Sequence, residues 1–428
     1  MTDTIMALAS GPGRAAVAVL RLSGRGCGAV LDALCGRPAP RRASLRALRE
    51  RGEVLDRALV LWMPGPGSYT GEDCAELQLH GGVAVVAAVT GALARLGVRP
   101  AEAGEFTRRA VLAGRMGVLE AEGVADLVAA EGEAQRRQAL RQMEGGLGRR
   151  LAGWAERLRV VLAQQEALID FPDEDLPEEV EALLLAEVAA LASEMRQGLA
   201  DGAAGERVRD GLVVAVAGAP DVGKSSLVNA LAEREVAIVA SGAGTTRDVL
   251  EVALDVGGVQ VTLLDTAGLR ETADPVEAEG VRRARARAEA ADLVILVRDA
   301  ASAGTEAEGA EGRRVVVVLN KAELGDGGAG EGLRVSARTG LGVAALRARL
   351  GEEVARLVAT GGAPLTRARH RAALGEAVAA LERAEAVAWP ELRGEELRLA
   401  LRAVGRITGA VDVEALLDTV FSRFCIGK

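Results

Sequence analysis

Along the first 115 residues, short apolar runs at Val17–Leu22, Ala58–Trp62 and Ala75–Leu79 alternate with Gly/Pro loops, and one helical stretch lies near Val83–Leu96. Runs of that length bounded by turn residues predict strands, and the mixture predicts an α+β N-terminal domain. From about Glu120 the period changes. Leu151, Trp154, Leu158, Val161, Leu162, Leu168 and Ile169 recur at three- and four-residue intervals, which places one apolar stripe on a helix. The segment Phe171–Asp175 interrupts the pattern and Leu183–Leu199 resumes it. Residues 212–346 then alternate strand, loop and helix, as a parallel-sheet α/β domain does. Beyond about Gly362 helical spacing returns in Leu374/Val378/Leu381, Leu397/Leu401/Val404 and Leu416/Leu417/Val420/Phe421/Phe424. The pattern predicts a multidomain chain. An α+β domain occupies 1–117, a discontinuous α-helical domain is built from 118–205 and 362–428, and an α/β domain is inserted at 206–361.

A chain of 428 residues is too long for one ordinary core, which agrees with that division. Hydrophobic residues make up 49% and aromatics only 2%, so the cores are aliphatic. Four cysteines show no CxxC or Cys/His spacing and suit a reducing compartment. Asp3 precedes any basic residue, unlike a signal peptide, and the longest apolar stretch, Val83–Ala94, is shorter than the roughly 18 residues of a membrane span. A cytoplasmic protein with no membrane association is expected. The net charge of −9 argues against broad, non-specific nucleic-acid binding. Of 52 basic residues only three are lysines, Lys224, Lys321 and Lys428, so a lysine here marks a place where a compact ammonium is needed.

Two of those lysines fall in motifs. The apolar run Leu212–Ala217 feeds into Gly218-Ala-Pro-Asp-Val-Gly-Lys-Ser225, which is followed by the helical Ser226–Leu231. This is the G-x-x-x-x-G-K-[ST] loop, whose backbone amides and helix N-terminus surround phosphate oxygens. Asp221, Val222, Gly223, Lys224, Ser225 and Ser226 are predicted to bind nucleotide, with Lys224 on the β- and γ-phosphates and Ser225 on Mg²⁺. A second strand ends in Asp265-Thr266-Ala267-Gly268, placing a carboxylate beside the Mg²⁺ and the Gly268 amide near the γ-phosphate. Between them, Gly244-Thr-Thr-Arg-Asp248 offers a threonine to close over Mg²⁺; Thr246 is preferred to Thr245. Base recognition follows in Asn320-Lys321-Ala-Glu323 and Ser336-Ala337-Arg338, for guanine by the Asn, the acid and the Ala337 amide. The usual acid is Asp; here it is Glu323. Five elements in this order predict a GTP-binding, Ras-like P-loop G domain. The glutamine that orients water in Ras-type enzymes is missing after Gly268, leaving Arg247, Arg270, a monovalent cation, Glu271 or Glu277 as candidates.

Further segments give the whole chain a resemblance. They are Asp3-Thr-Ile with Gly11-Pro-Gly-Arg14, Arg21-Leu-Ser-Gly24, Pro64–Asp73, His80-Gly-Gly82, Gly104–Ala110, Ile169–Glu174 and the terminal Phe424-Cys-Ile-Gly-Lys428. With the G-domain motifs, they make the sequence resemble the MnmE (TrmE) family of tRNA-modification GTPases. The resemblance implies an N-terminal domain that binds folate and drives homodimerisation. It implies a partner, the FAD- and NADH-dependent protein MnmG, in a heterotetramer or larger complex acting on tRNA. Together they would add an aminomethyl or carboxymethylaminomethyl group to carbon 5 of the wobble uridine, position 34. The one-carbon unit would come from 5-formyl- or methylene-tetrahydrofolate. Folate would contact Arg21, Glu76, Arg115 and Lys428, although the family favours Lys where Arg115 stands. Catalysis would rest on Glu277 orienting water, with Lys224 and Thr246; Mg²⁺ would be held by Ser225 and Thr246, and K⁺ by Asp221 and Thr245. The family's K⁺ site is built on an Asn where this chain has Asp221. Cys425 reads as a poor prenylation box, a reactive thiol or a small residue near the folate site. Two other functions are weighed: a ribosome-assembly GTPase, which ordinarily appends an RNA-binding module that 362–428 does not resemble, and a folate-dependent one-carbon transferase needing no partner.

Overall fold

A computed structural model describes residues 3–170, 178–232, 251–266, 282, 284–301, 314–325, 331–359, 364–411, 417, 418, 420, 421, 424 and 427. The chain divides into two compact units, one of Met1–Ala125, Gln142–Val160 and Leu401–Lys428, the other of Asp126–Arg141 and Val161–Ala400.

The first unit is built on a six-stranded sheet. Strands β1 (Ile5–Leu8), β2 (Val17–Ser23), β3 (Ser44–Glu50), β4 (Glu53–Met63), β5 (Cys74–His80) and β6 (Arg99–Pro100) lie in the order β3-β4-β5-β2-β1-β6. Alternation along β2, β4 and β5 sends Leu20, Leu22, Val60, Trp62, Leu77 and Leu79 to one face. Helices α1 (Cys27–Leu34) and α2 (Val83–Arg95) cover that face with Leu31, Leu34, Val89 and Leu93. Helix α3 (Glu105–Leu112) and the larger part of α4 (Val118–Ala129) follow in this unit, α5 (Glu133–Met143) falls almost wholly in the second unit, and α6 (Gly146–Asp170) is divided between the two. The expected strands and the helix near Val83 are present. β1 and β3 carried no sequence signal: β1 has four residues, and β3 is an edge strand in which only Leu48 is buried.

The second unit holds α7 (Glu178–Asp210) and an α/β sheet. Helix α7 continues past Leu199, where the apolar spacing stops, through Gly202 and Gly205. The glycines serve packing: a Cβ at Gly205 would stand 2.2 Å from the Leu365 carbonyl oxygen. Strands β7 (Leu212–Ala217), β8 (Glu251–Val256), β9 (Val259–Asp265), β10 (Leu293–Asp299), β11 (Val315–Asn320) and β12 (Leu333–Arg334) run in the order β12-β11-β10-β7-β9-β8. All neighbours are parallel except β8 and β9, which form a hairpin. Continuous apolar runs suit strands covered on both faces. Helices α8 (Lys224–Ala232) and α9 (Val343–Leu357) pack on this sheet through Leu227, Leu231, Leu346 and Leu350. Helices α10 (Ala368–Ala386) and α11 (Pro390–Thr408) follow. No helix among the described residues is long and apolar enough to cross a membrane.

Candidate functional site

The central strand β7 delivers the chain into the phosphate loop. At Gly218, φ is +149° and a Cβ would lie 2.2 Å from the Val297 carbonyl oxygen, so only glycine lets the loop leave the sheet beside β10. Asp221 takes φ 61°, a left-handed conformation that Asp and Asn tolerate better than most residues. The loop then curls round Lys224, whose Nζ donates to the carbonyls of Gly218 at 2.9 Å and Ala219 at 2.8 Å. Lys224 is almost fully buried, and those two carbonyls give its charge polar partners. Ser225 Oγ donates to Asp265 Oδ2 at the end of β9, and Thr266 Oγ1 donates to the Val216 carbonyl at 2.8 Å. A hydroxyl and a carboxylate already in contact are two hard oxygen ligands in the right place for Mg²⁺, so the residues present fit that ion. Ser226 stands exposed on the first turn of α8.

The residues predicted to read the base are tied to this loop. Buried Asn320, ending β11, donates from Nδ2 to the Val222 carbonyl at 2.8 Å and accepts the Ala337 amide at 3.0 Å on Oδ1. One side chain thus joins the phosphate loop to the Ser336–Arg338 segment. Lys321, at φ 61°, pairs with Asp299 at 2.8 Å; this bond and the Ala301 amide hold the Asp299 carboxyl below the usual carboxylate range. Glu323 lies in the 3₁₀ turn Ala322–Leu324. Its carboxyl is held below the usual range chiefly by the buried Ser336 hydroxyl, with Arg338 Nε 3.3 Å from Oε1. Its Oε2 is buried and has no hydrogen-bond donor. A buried carboxylate oxygen of this kind can accept an N–H donor.

The structure therefore gathers the 221–226 loop with Asp265 and Thr266, and links it through Asn320 to the group formed by Lys321, Glu323, Ser336, Ala337 and Arg338. Thr245, Thr246, Arg247, Ala267, Gly268, Arg270, Glu271, Glu277, Cys425 and Lys428 lie outside the described residues. Sequence reasoning missed Asp299, although it ends a buried strand in an acid as Asp265 does. The Val222 carbonyl, a backbone group, left no signal at all.

In the N-terminal unit, Arg21 and Glu76 face each other across the β2–β5 register and pair at 2.8 Å. The Arg21 guanidinium lies 5.8 Å from the Tyr69 ring centroid and 6.0 Å from that of Phe106. The pair is half-buried, and the Phe106 ring beside it is fully buried. Arg115 lies against Gly71, where a Cβ would meet its Cγ at 3.4 Å. Tyr69 and Phe106 border this pair, and sequence reasoning did not single them out.

Comparison with known proteins bears on both sites. The family described as "MnmE helical domain" matches residues 118–425, and that described as "GTP-binding protein TrmE N-terminus" matches residues 4–115. The tRNA modification GTPase MnmE of Gluconacetobacter diazotrophicus is 57% identical over 99% of this chain and 98% of its own length. That of Granulibacter bethesdensis is 54% identical over 100% of this chain and 99% of its own. Among solved structures, the G domain of the T. maritima FeoB iron transporter is 26% identical, covering 35% of this chain and 99% of its own with a TM-score of 0.23. Matches over the full length, together with the phosphate loop, establish that the chain belongs to the MnmE family of tRNA modification GTPases.

Proposed function

We propose that this GTPase works as the hydrolytic subunit of a complex that modifies carbon 5 of the wobble uridine, position 34, in certain tRNAs. An FAD- and NADH-dependent MnmG partner and a tetrahydrofolate one-carbon donor complete the reaction. The observation that carries the nucleotide half is the double hydrogen bond of Asn320, to the Val222 carbonyl and from the Ala337 amide. It sets the guanine-reading groups at a fixed distance from Lys224, so base and phosphates of one GTP are gripped together.

In this reading Lys224 leaves its two carbonyl partners for the β- and γ-phosphates, and Ser225 with Thr246 holds Mg²⁺. The Ser225–Asp265 contact supports the Mg²⁺ assignment, since Asp265 accepts from a ligating hydroxyl. Thr245 and Asp221 would hold K⁺, whose charge would take the place of an arginine finger, and Glu277 would orient the attacking water. In the N-terminal domain Arg21, Glu76, Arg115 and Lys428 hold the folate; the Arg21–Glu76 pair beside Tyr69 and Phe106 supports that assignment. When bound, the folate supplies the one-carbon unit. The protein acts in the cytoplasm as a homodimer. Domain limits of 1–117, 118–205, 206–361 and 362–428 describe this division of labour.

The deciding experiment is nucleoside analysis of tRNA from cells lacking the protein. Loss of the aminomethyl-type modifications at position 34, restored by the wild-type chain and not by Lys224→Ala, is expected. Unchanged wobble uridines would remove the proposal.

A further inference from the structure

Far from the phosphate loop, the G domain makes a second polar junction within the same unit. The turn between β8 and β9 docks on the start of α5. Gly257 at φ 65° and Gly258 at φ 85° form the turn, which Asp255 Oδ1 closes by accepting the Gly258 amide at 2.7 Å. The Gly258 carbonyl accepts the Ala134 amide at 2.8 Å, and the Ala134 methyl packs on the apolar core of the α/β sheet. Gly132 permits the approach, since a Cβ there would stand 2.8 Å from the Gly258 oxygen.

Gln135 is the centre of this junction. Its Oε1 accepts the amides of Glu131 at 2.8 Å and Gly132 at 2.9 Å, so it caps its own helix. Its Nε2 donates to the Arg209 carbonyl at 3.1 Å and to Gln260 Oε1 at 3.2 Å. Gln260 in turn donates to Glu131. All four hydrogen-bonding positions of the buried Gln135 amide are used, one of them by strand β9 itself. A fully satisfied buried network has two states, made or broken, because a partial one leaves polar groups unpaired.

The other end of the hairpin is the nucleotide site. Strand β9 runs from Gln260 to Asp265, which accepts from Ser225. Five residues at strand rise span about 17 Å. Strand β8 is the sheet's edge, bonded to β9 alone. A hairpin with one strand ending at the Asp265–Ser225 contact and its turn held by a helix cap is a lever.

We propose that the β8–β9 turn and the Gln135 cap form a joint that passes the state of the nucleotide site to the first turn of α5. By linkage, the same joint lets the helical segments set the preference between GDP and GTP. The proposal rests on the nucleotide reading given above, and its test separates the two.

The full-length protein is examined by amide hydrogen exchange with Mg²⁺ and either GDP or a non-hydrolysable GTP analogue, bound nucleotide being measured in the same samples. Exchange across residues 131–137 is expected to differ between the two states by about threefold or more. Gln135→Ala, and independently Gln260→Ala, should erase that difference while GDP stays bound. Each should also change the ratio of analogue to GDP affinity by about fivefold. Equal exchange in both nucleotide-bound states overturns the joint and leaves the nucleotide site standing. A difference that survives both variants overturns it as well. Absence of bound nucleotide would remove the site and the joint together.

Discussion

At Gly223, a φ of 90° and the 2.4 Å that would separate an added Cβ from Asn320 Nδ2 act on the same residue. Alanine there meets the strain of a left-handed backbone, about 1–2 kcal/mol, and pushes against the side chain that joins phosphate loop to base site. Gly223→Ala is expected to weaken GDP binding by about a hundredfold, the equivalent of roughly 3 kcal/mol, while the circular dichroism spectrum is retained. Titration with a fluorescent GDP analogue measures it; affinity within twofold of wild type would show that the Asn320 staple does not matter. Asp221 gives the opposite case. Its φ of 61° suits Asn as well as Asp, so Asp221→Asn should leave the loop's shape unchanged and remove one negative charge beside the phosphates. At the dielectric of a protein surface such a charge is worth about 1 kcal/mol or more, so GTP should bind about fivefold tighter. Hydrolysis is expected to run faster in KCl than in NaCl for both proteins; equal rates would take K⁺ out of the mechanism. These residues were legible because each motif pairs an unusual residue type with a fixed spacing. Asp299 was not, since nothing in the sequence says that Lys321 needs a carboxylate from a different strand.

At the scale of elements, apolar period located the strands and helices that bury a face, and failed where burial is slight or packing is made by glycine. The edge strand β3 and the last turns of α7 are those two failures. Polar networks between elements were equally hidden. In the N-terminal unit, Glu105 on α3 accepts from Arg99 at 2.6 and 2.9 Å, from Arg109 at 2.9 Å and from the Glu102 amide at 2.9 Å. Burial alone would raise its carboxyl, but the Arg99 bonds, the Glu102 amide and Arg109 together hold it below the usual range. A carboxylate with a depressed folded pKa contributes stability that is complete above its unfolded value, about 4.3, and is lost as pH falls through the folded value. Glu105→Gln leaves a buried Arg109 short of one charge partner and is expected to cost about 3 kcal/mol at pH 7. Urea midpoints of the two proteins should then converge between pH 4 and the acid limit of folding. A gap that stays constant down to that limit would mean packing, not charge, holds α3 in place.

For the whole molecule, the change of texture from strand runs to helical stripes and back revealed an inserted α/β domain, because each domain buries a face with its own period. Which helical segments pack with the inserted domain was not legible, since that is decided by single polar contacts far apart in sequence. Asp126 receives Arg209 at 3.1 Å and Arg367 at 2.8 Å, gathering α4, α7 and the segment before α10. Asp292 does the same at the point where the chain enters β7. It accepts Arg207 Nε at 2.9 Å and the Val213 amide at 3.1 Å, while its own amide donates to the Val213 carbonyl at 2.9 Å. Asp292→Ala strands a backbone amide and an arginine at that seam and is expected to lower stability by about 1–3 kcal/mol, with Asp292→Asn recovering part of it. Val213 lies five residues before Gly218, about 17 Å along the strand and at its opposite end from the phosphate loop. GDP affinity should therefore stay within about twofold of wild type, as expected for substitutions without shared partners. A variant that lost affinity in proportion to stability would instead show that the seam and the phosphate loop move as one, and that α7 belongs to the nucleotide machinery and not merely to its support.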